Sequence, residues 1–158
     1  MSSQKHIAES EAEYLAHNVD VWRQDYFNES NGGYLVVHRN RIERSHISEN
    51  EGKKLSRELD MANVFAQNGY RVVMLREMPG ISSPDVKVNG VLGELKRLSG
   101  HNNIAKEAKD AVRKKGAKVV LFQLDELNGK VHHELNKLSL KGIGGYYFVT
   151  GENVILPF

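Results

Sequence analysis

The sequence contains no cysteine among its 158 residues and only three prolines. The lack of cysteine excludes a disulfide framework, a thiolate zinc site and a cysteine nucleophile, and it suits a reducing compartment. The apolar run at residues 119–122 is far shorter than the roughly 20 apolar residues of a membrane span. Residues 1–17 are acidic and have no apolar core, so we expect no signal peptide and no membrane partner. The matching expectation is a cytoplasmic site of action.

The composition that is present is that of an ordinary globular protein, with 40% hydrophobic and 27% charged residues. The length fits one domain, and a chain of this size can bury most of the surface that its unfolded form exposes. The sequence has no internal repeat, low-complexity stretch or proline-rich linker. We therefore predict a single domain over residues 1–158.

Charge is distributed unevenly, although the formal net charge is only +2. Residues 1–30 carry an excess of acids, and residues 96–118 carry a clear excess of Lys and Arg. A second basic cluster occupies residues 38–46. Concentrated Lys and Arg can neutralise phosphates and so give sequence-independent affinity for nucleic acid. The alternative is a basic helix face that is simply solvated.

Periodicity predicts an alternation of helices and strands. Helices are predicted at 6–28, 48–68, about 102–115 and about 130–140, and strands at 34–37, 70–75, on both sides of Asn89-Gly90, at 117–124, 146–149 and 153–156. The helix at 48–68 has the clearest signals, since Ser48 can cap its start and Gly69 follows its end. This order predicts an α/β fold around a mixed sheet, with an extra N-terminal helix and a C-terminal hairpin.

The pair Asn89-Gly90 predicts a two-residue type I′ hairpin turn, which fixes the register of the strands on either side. Asp85 then lies directly opposite Glu94. The period of two gives one face with Asp85, Lys87, Leu92, Glu94 and Lys96, and a core face with Val86, Val88, Val91 and Leu95.

Two carboxylates directly opposite each other repel, so a compensating charge is expected. A divalent cation held by Asp85 and Glu94 would supply it, because Mg²⁺ prefers oxygen ligands. Lys96, on the same face, could hold a water or stabilise an anionic transition state. The alternative is a solvent-facing strand pair whose lysines balance its acids.

Pro84-Asp85 followed by Glu94-Leu95-Lys96 resembles the motif of the PD-(D/E)xK nucleases. The order αβββαβ of that restriction-endonuclease-like core maps onto residues 48–124, leaving an N-terminal extension at 1–47 and a C-terminal extension at 125–158. Residues 54–124 look more specifically like the C-terminal tRNase domain of contact-dependent growth inhibition toxins. That resemblance rests on the succession of a helix, NGYRVVML, PDVKVNGVLGELK, a second helix and KVVLFQL.

The resemblance implies a metal-dependent nuclease, with Mg²⁺ or Mn²⁺ as cofactor. Asp85, Glu94 and the backbone carbonyl of Leu95 would bind the metal, and Lys96 would position the attacking water. The family also has a glutamate on the helix before the hairpin, for which Glu51 and Glu58 are candidates. We favour Glu58 as the fourth catalytic residue, because Glu51 can be explained as a helix-capping acid.

The resemblance further implies a tRNA-cleaving toxin, with RNA preferred over DNA as substrate and an immunity protein as a further partner. Membership of a mobile element is a related expectation. A metal site beside a basic helix suits a polyanion. The predicted nucleic-acid contacts are Lys87, Arg97, His101, Asn102, Asn103, Lys106, Lys109, Arg113 and Lys114. The alternatives are a DNA endonuclease of the same fold and a non-catalytic nucleic-acid-binding protein.

Overall fold

The computed structural model describes residues 2–158, and the side chains of residues 3–158. Within that range it contains five helices and eight strands. Two compact units can be distinguished, the first made of residues up to 77 together with 86–90, and the second of 78–85 together with 91–158. Each unit combines helices with four strands, which confirms the predicted α/β class. The single-domain organisation stays a prediction.

The first unit contains α1 (Ser2–Leu15), β1 (Trp22–Phe27), β2 (Tyr34–His38), α2 (Arg39–Ser45), α3 (Glu49–Gln67), β3 (Arg71–Met74) and β4 (Val86–Val88). Strand β2 pairs antiparallel with β1 and parallel with β3, and β3 pairs antiparallel with β4. The sheet of this unit is therefore mixed, as expected. Asn89 and Gly90 both have positive φ, at 50° and 82°, as a type I′ turn requires.

Helix α3 begins as predicted, because the Ser48 side chain accepts a hydrogen bond from the Glu51 backbone N–H at 3.2 Å. Its apolar stripe packs against β2 and β3 and buries Phe65 completely. The packing is close, since a Cβ at Gly33 would lie 1.9 Å from the carbonyl oxygen of Ala66. Only glycine fits at that position of the chain.

The predicted helix over 6–28 is wrong in its second half. Helix α1 ends at Leu15, and residues 22–27 form strand β1. The Asn18 side chain accepts from the Asp20 backbone N–H at 2.8 Å, a local bond that competes with helix continuation. The edge of β2 then offers ladder hydrogen bonds to β1, so tertiary pairing outweighs the helical spacing of the apolar residues.

The second unit contains β5 (Val91–Leu98), α4 (Ile104–Arg113), β6 (Val119–Leu124), α5 (Gly129–Leu140), β7 (Gly145–Val149) and β8 (Leu156–Pro157). Strand β6 pairs parallel with both β5 and β7. Strand β8 pairs antiparallel with β7, so the C-terminal hairpin is confirmed, with its last strand two residues long rather than at 153–156.

Helices α4 and α5 share one apolar cluster with β6. The buried members are Ile104, Ala108, Ala111, Ala117, Val120, Phe122, Leu124, Val131, Leu135, Leu138, Ile143 and Tyr147. The helical members recur three or four residues apart, so each helix presents one apolar face. This packing fixes α4 beside β5, where the candidate site lies.

The order α3, β3, β4, β5, α4, β6 is the predicted αβββαβ succession. Assignment to the restriction-endonuclease-like class stays a prediction. Among residues 2–158, no helix is both long enough and apolar enough to cross a bilayer.

Candidate functional site

Asp85 and Glu94 lie side by side in the second unit and hold each other in place. The backbone N–H of Asp85 donates to Glu94 Oε1 at 3.1 Å, and the backbone N–H of Leu95 donates to Asp85 Oδ1 at 3.1 Å. Each carboxylate therefore anchors the backbone next to the other. The predicted proximity of these two acids is confirmed, and the contacts fix the orientation of both side chains.

Glu94 is buried, with a side-chain exposure of 1%. Glu94 therefore does not lie on a solvent-facing side of its strand. Its neighbour Leu95, which points to the other side of the strand, is buried as well. Val91, predicted on the core face, is 39% exposed, since it begins β5 at the end of the turn. Burying a carboxylate costs free energy unless the carboxylate is paired with a cation. The residues that contact Glu94 therefore have to compensate its charge.

Two lysines compensate the charge of Glu94. Lys115, which follows α4, donates a hydrogen bond to Glu94 Oε2, and the Lys96 ammonium lies 3.8 Å from the same atom. Burial disfavours the Lys115 ammonium, but its hydrogen bond to Glu94 and the charges of Glu94 and Asp85 outweigh that effect, so the pKa of Lys115 is raised. The ammonium thus remains charged at neutral pH.

Lys115 was not among the predicted site residues. The sequence signal for it was weak, because it stands in a run of basic residues just before Gly116. Strands β5 and β6 pair in parallel, and their first paired residues are Gly93 and Val119. Only this pairing brings the residues after α4 close to Glu94. The pattern that could have indicated Lys115 is its place shortly before β6, the strand that pairs with the Glu94 strand β5.

Lys96 is held between two carboxylates. Its ammonium lies 3.8 Å from Glu94 and 3.4 Å from Glu107 on α4. The Lys96 side chain is 27% exposed, so it is reachable from solvent while its position is restricted. Glu107 is a second residue of the site that the sequence did not single out, although it is an acid within a basic helix.

The carboxylates of Asp85 and Glu94 offer the oxygen ligands that a hard cation prefers, but they are only two side chains. Within residues 2–158, no group of three or more His, Asp or Glu side chains is arranged to hold a metal ion. Mg²⁺ commonly takes one or two carboxylates and completes its shell with waters and substrate phosphates, and Asp85 and Glu94 match that pattern. Because Lys115 occupies Glu94 Oε2, a cation there would have to compete with this ammonium.

Glu58 belongs to the first unit. Its Oε2 accepts from Arg41 Nη1 at 3.0 Å, and Arg41 Nε donates to the carbonyl oxygen of Leu75. The side-chain exposures of Arg41 and Glu58 are 5% and 15%, so this is a largely buried ion pair. Arg41, part of the basic cluster at 38–46, is thus an internal residue rather than a surface contact for nucleic acid.

The Arg41–Glu58 pair borders a shallow cleft that is partly open to solvent. Its lining consists of Arg41, Arg44, Ser45, Glu51, Lys54, Leu55, Glu58 and Glu77. Although burial opposes the charged form of Glu77, the nearby Lys54 and a hydrogen bond from Arg44 lower its pKa overall. Cations and acids balance in this cleft, and both helix glutamates considered from the sequence line it.

The predicted nucleic-acid contacts differ in whether they form ion pairs within the chain. Arg97 forms an ion pair with Asp125 at 3.1 Å. Asp110 pairs with Lys106 at 3.3 Å and with Lys114 at 3.5 Å. The other predicted contacts are Lys87, Asn102, Asn103 and Arg113, which are exposed, and His101 and Lys109, which are partly exposed. All nine residues can therefore be reached from solvent to some degree, and their role stays a prediction.

Comparison with known proteins adds one structural likeness. No protein-family model and no curated protein matches the sequence. The structure is similar to a chain of the CdiA-CT/CdiI toxin and immunity complex from Burkholderia pseudomallei, with a TM-score of 0.55 and 20% sequence identity. The match covers 70% of this chain and 88% of that chain. The two chains share a fold. At this identity the likeness concerns the fold and not the chemistry.

Proposed function

We propose that this chain is a metal-dependent nuclease of the toxin type that cleaves RNA, with tRNA as the first substrate to test. The observation that carries the proposal is the acid–lysine cluster around the buried Glu94: Asp85 and Glu94 are anchored to each other's backbone, with Lys96 and Lys115 at Glu94 Oε2. Such a cluster holds acids and cations within reach of one phosphodiester.

The residues of the chain have distinct tasks in this proposal. Asp85 and Glu94 would hold the cation, aided by the Leu95 carbonyl. A bound divalent cation lowers the pKa of a coordinated water and polarises the phosphate. Lys96, partly exposed, orients the attacking water, and Lys115 stabilises the negative charge that develops on the phosphate oxygens. The Glu94 ion pairs keep both ammoniums in place before substrate arrives.

Toxin activity and an immunity partner are supported by two observations. The sequence resembles toxin tRNase domains over residues 54–124, and the fold is similar to a chain from a toxin and immunity complex. The basic stretch 96–118 next to the acidic pair suits a polyanionic substrate. Together these features favour a toxin that acts on nucleic acid.

A cleavage assay tests the chemistry. Purified protein is incubated with total tRNA, single-stranded DNA or duplex DNA, each with Mg²⁺, Mn²⁺ or EDTA. Asp85→Ala and Lys96→Ala are compared with Asp60→Ala and Lys130→Ala, which remove the same charges at exposed positions. We expect metal-dependent cleavage of tRNA that falls at least about 100-fold in the first two variants only. Cleavage of DNA alone would select the endonuclease alternative.

The absence of cleavage of every substrate with either metal would refute the enzymatic proposal. The toxin role has its own test, since expression of the wild-type chain inside bacterial cells should arrest growth. Asp85→Ala should remove this arrest at an equal level of soluble protein. Arrest by the Asp85→Ala variant would separate toxicity from the acidic pair.

A further inference from the structure

A short apolar turn precedes the acidic pair in the second unit. The backbone N–H of Ile81 donates to the carbonyl oxygen of Met78 at 3.2 Å, and Gly80 between them has a φ of 75°. With Pro79 at its second position, this geometry is that of a type II β-turn. Proline presets the φ that the second position needs, and glycine adopts the positive φ of the third without strain. We call residues 78–81 the apolar turn.

The apolar turn exposes its large side chains. Met78 is 42% exposed and Ile81 is 59% exposed, and Pro79 is exposed as well. Residues 78–84 include no charged side chain. Single exposed apolar residues are common on protein surfaces, but here three stand within four residues. The turn therefore presents to water an apolar surface whose backbone conformation is already set.

The chain holds this surface close to the acid–lysine cluster. Ile81 stands four residues before Asp85, so their Cα atoms are at most about 14 Å apart. Asp85 itself is anchored, because its backbone N–H donates to Glu94 Oε1 at 3.1 Å. A stacked nucleic-acid strand rises about 3.4 Å per nucleotide, so 14 Å corresponds to about four nucleotides. A strand with one phosphodiester at Asp85 therefore has bases within reach of the apolar turn.

The turn and the cluster match the two parts of a nucleotide. The anionic phosphate suits the lysines at Glu94. The base has an apolar face, and Met, Ile and Pro are among the side chains that insert between neighbouring bases and unstack them. A folded protein partner would cover about 800 Å² of this chain, far more than a four-residue turn offers. These features favour a nucleobase as the occupant.

We propose that the apolar turn inserts against the bases next to the scissile phosphodiester and unstacks them. This inference rests on the proposed function for the identity of the substrate. Unstacking splays the two nucleotides apart, so that the phosphodiester between them can reach Glu94 and Lys96. It costs less free energy in a single strand than in a duplex, because fewer base contacts are lost. The turn would thus favour single-stranded substrate.

Unstacking is measured separately from cleavage. A short single-stranded RNA carries one 2-aminopurine, whose fluorescence is low when the base is stacked and rises when it is unstacked. The RNA is titrated in EDTA with the full chain, and the anisotropy of a terminal fluorescein on a matched RNA shows when binding is complete. A set of RNAs places the 2-aminopurine at successive positions, so that every alignment of the strand on the protein is sampled.

The test variant is Met78→Ser/Ile81→Ser. It removes two apolar side chains and keeps Pro79 and Gly80, which set the turn. Met78→Leu/Ile81→Leu is the conservative variant, because it keeps the surface apolar.

The matched control lies in the first unit. Val19 and Val21 are 57% and 41% exposed, close to the values of Ile81 and Met78. Val19→Ser/Val21→Ser therefore removes a similar amount of exposed apolar surface outside the turn. Circular dichroism and urea unfolding establish that all variants are folded.

We expect wild type to raise the fluorescence of the bound RNA about twofold or more, because the turn unstacks the labelled base. The conservative variant and the control should do the same. RNA bound to Met78→Ser/Ile81→Ser should keep the fluorescence of free RNA. An equal rise with this variant would overturn the proposal. So would the absence of RNA binding by wild type, or binding without any rise.

Sedimentation velocity tests a second copy of the chain as the occupant. Wild-type dimers that Met78→Ser/Ile81→Ser abolishes, in the absence of a fluorescence rise, would assign the turn to self-association and overturn the proposal.

The result is independent of catalysis. A fluorescence rise that depends on the turn, without cleavage of any substrate in Mg²⁺ or Mn²⁺, supports this inference and refutes the nuclease. Equal cleavage by wild type and Met78→Ser/Ile81→Ser, without a fluorescence rise, supports the nuclease and overturns the role of the turn. Each proposal can therefore fail alone.

Discussion

The ammonium of Lys115 donates a hydrogen bond to the buried carboxylate of Glu94, across a sequence separation of 21 residues. The contact joins the segment after α4 to strand β5. It supplies the positive charge that the facing acids require, from a residue of the protein itself.

Removal of Lys115 should destabilise the fold through Glu94. Breaking a fully buried ion pair costs about 3–5 kcal/mol, and because the Lys115 side chain is 33% exposed we expect about 2 kcal/mol for Lys115→Met. Urea unfolding at pH 7 in EDTA measures this loss. Lys114→Met, which breaks only an exposed pair with Asp110, should leave the free energy of unfolding nearly unchanged.

The same pair predicts a pH dependence. The folded pKa of Lys115 is raised, so its contribution is complete below the unfolded value of about 10.4 and is lost as pH rises through the folded value. The stability difference between wild type and Lys115→Met should be constant from pH 6 to 9 and shrink above about pH 10.5. A difference that shrinks between pH 6 and 9 would contradict this assignment.

Lys115 should also compete with divalent cations for Glu94. If the acids hold the metal, Lys115→Met frees Glu94 Oε2 and should tighten Mn²⁺ binding about tenfold, whereas Asp85→Asn should weaken it, because a carboxylate ligand is lost. Electron paramagnetic resonance of free Mn²⁺ gives both affinities. Equal Mn²⁺ affinity in wild type, Lys115→Met and Asp85→Asn would show that the acidic pair is not the metal site.

Glu107 should act as a positioning residue through Lys96. Its carboxylate lies 3.4 Å from the Lys96 ammonium, so Glu107→Gln should loosen Lys96 and lower kcat for tRNA cleavage about tenfold, with KM unchanged. Glu107→Asp should recover part of the loss. Glu152→Gln, the same charge change at an exposed position, is the control. A change in KM alone would assign Glu107 to substrate binding instead.

Glu58 should be needed for the stability of the first unit. Because the Arg41 side chain is 5% exposed, Glu58→Gln removes the negative charge that contacts a buried guanidinium and should cost about 3 kcal/mol. The double variant Arg41→Met/Glu58→Met should lose less free energy of unfolding than the summed losses of Arg41→Met and Glu58→Met. The matched control on the same helix is Glu49→Gln, since Glu49 pairs with Lys53 at the surface and should contribute less than about 0.5 kcal/mol.

The activity of Glu58→Gln then separates two roles of Glu58. Measured at a temperature where the variant is fully folded, a loss of cleavage beyond about 100-fold would indicate a catalytic carboxylate, as the nuclease resemblance implies. Near-normal cleavage by the folded variant would make Glu58 the structural partner of Arg41.

Local sequence signals predicted much of the fold. Ser48 and Gly69 bracketed α3 almost to the residue, and Asn89-Gly90 predicted a turn that has positive φ at both positions. These features depend on neighbouring residues only. The segment 22–27 was predicted wrongly as helix, because its conformation depends on pairing with β2, which is more distant in the chain.

The sequence by itself determined that Asp85 and Glu94 meet, because a two-residue turn and the period of a strand fix that register locally. Only the tertiary structure decided that Glu94 is buried, that Lys115 and Glu107 join the site, and that Arg41 pairs with Glu58. These contacts join residues on different elements. Their existence depends on how helices and strands pack, which no short sequence pattern specifies.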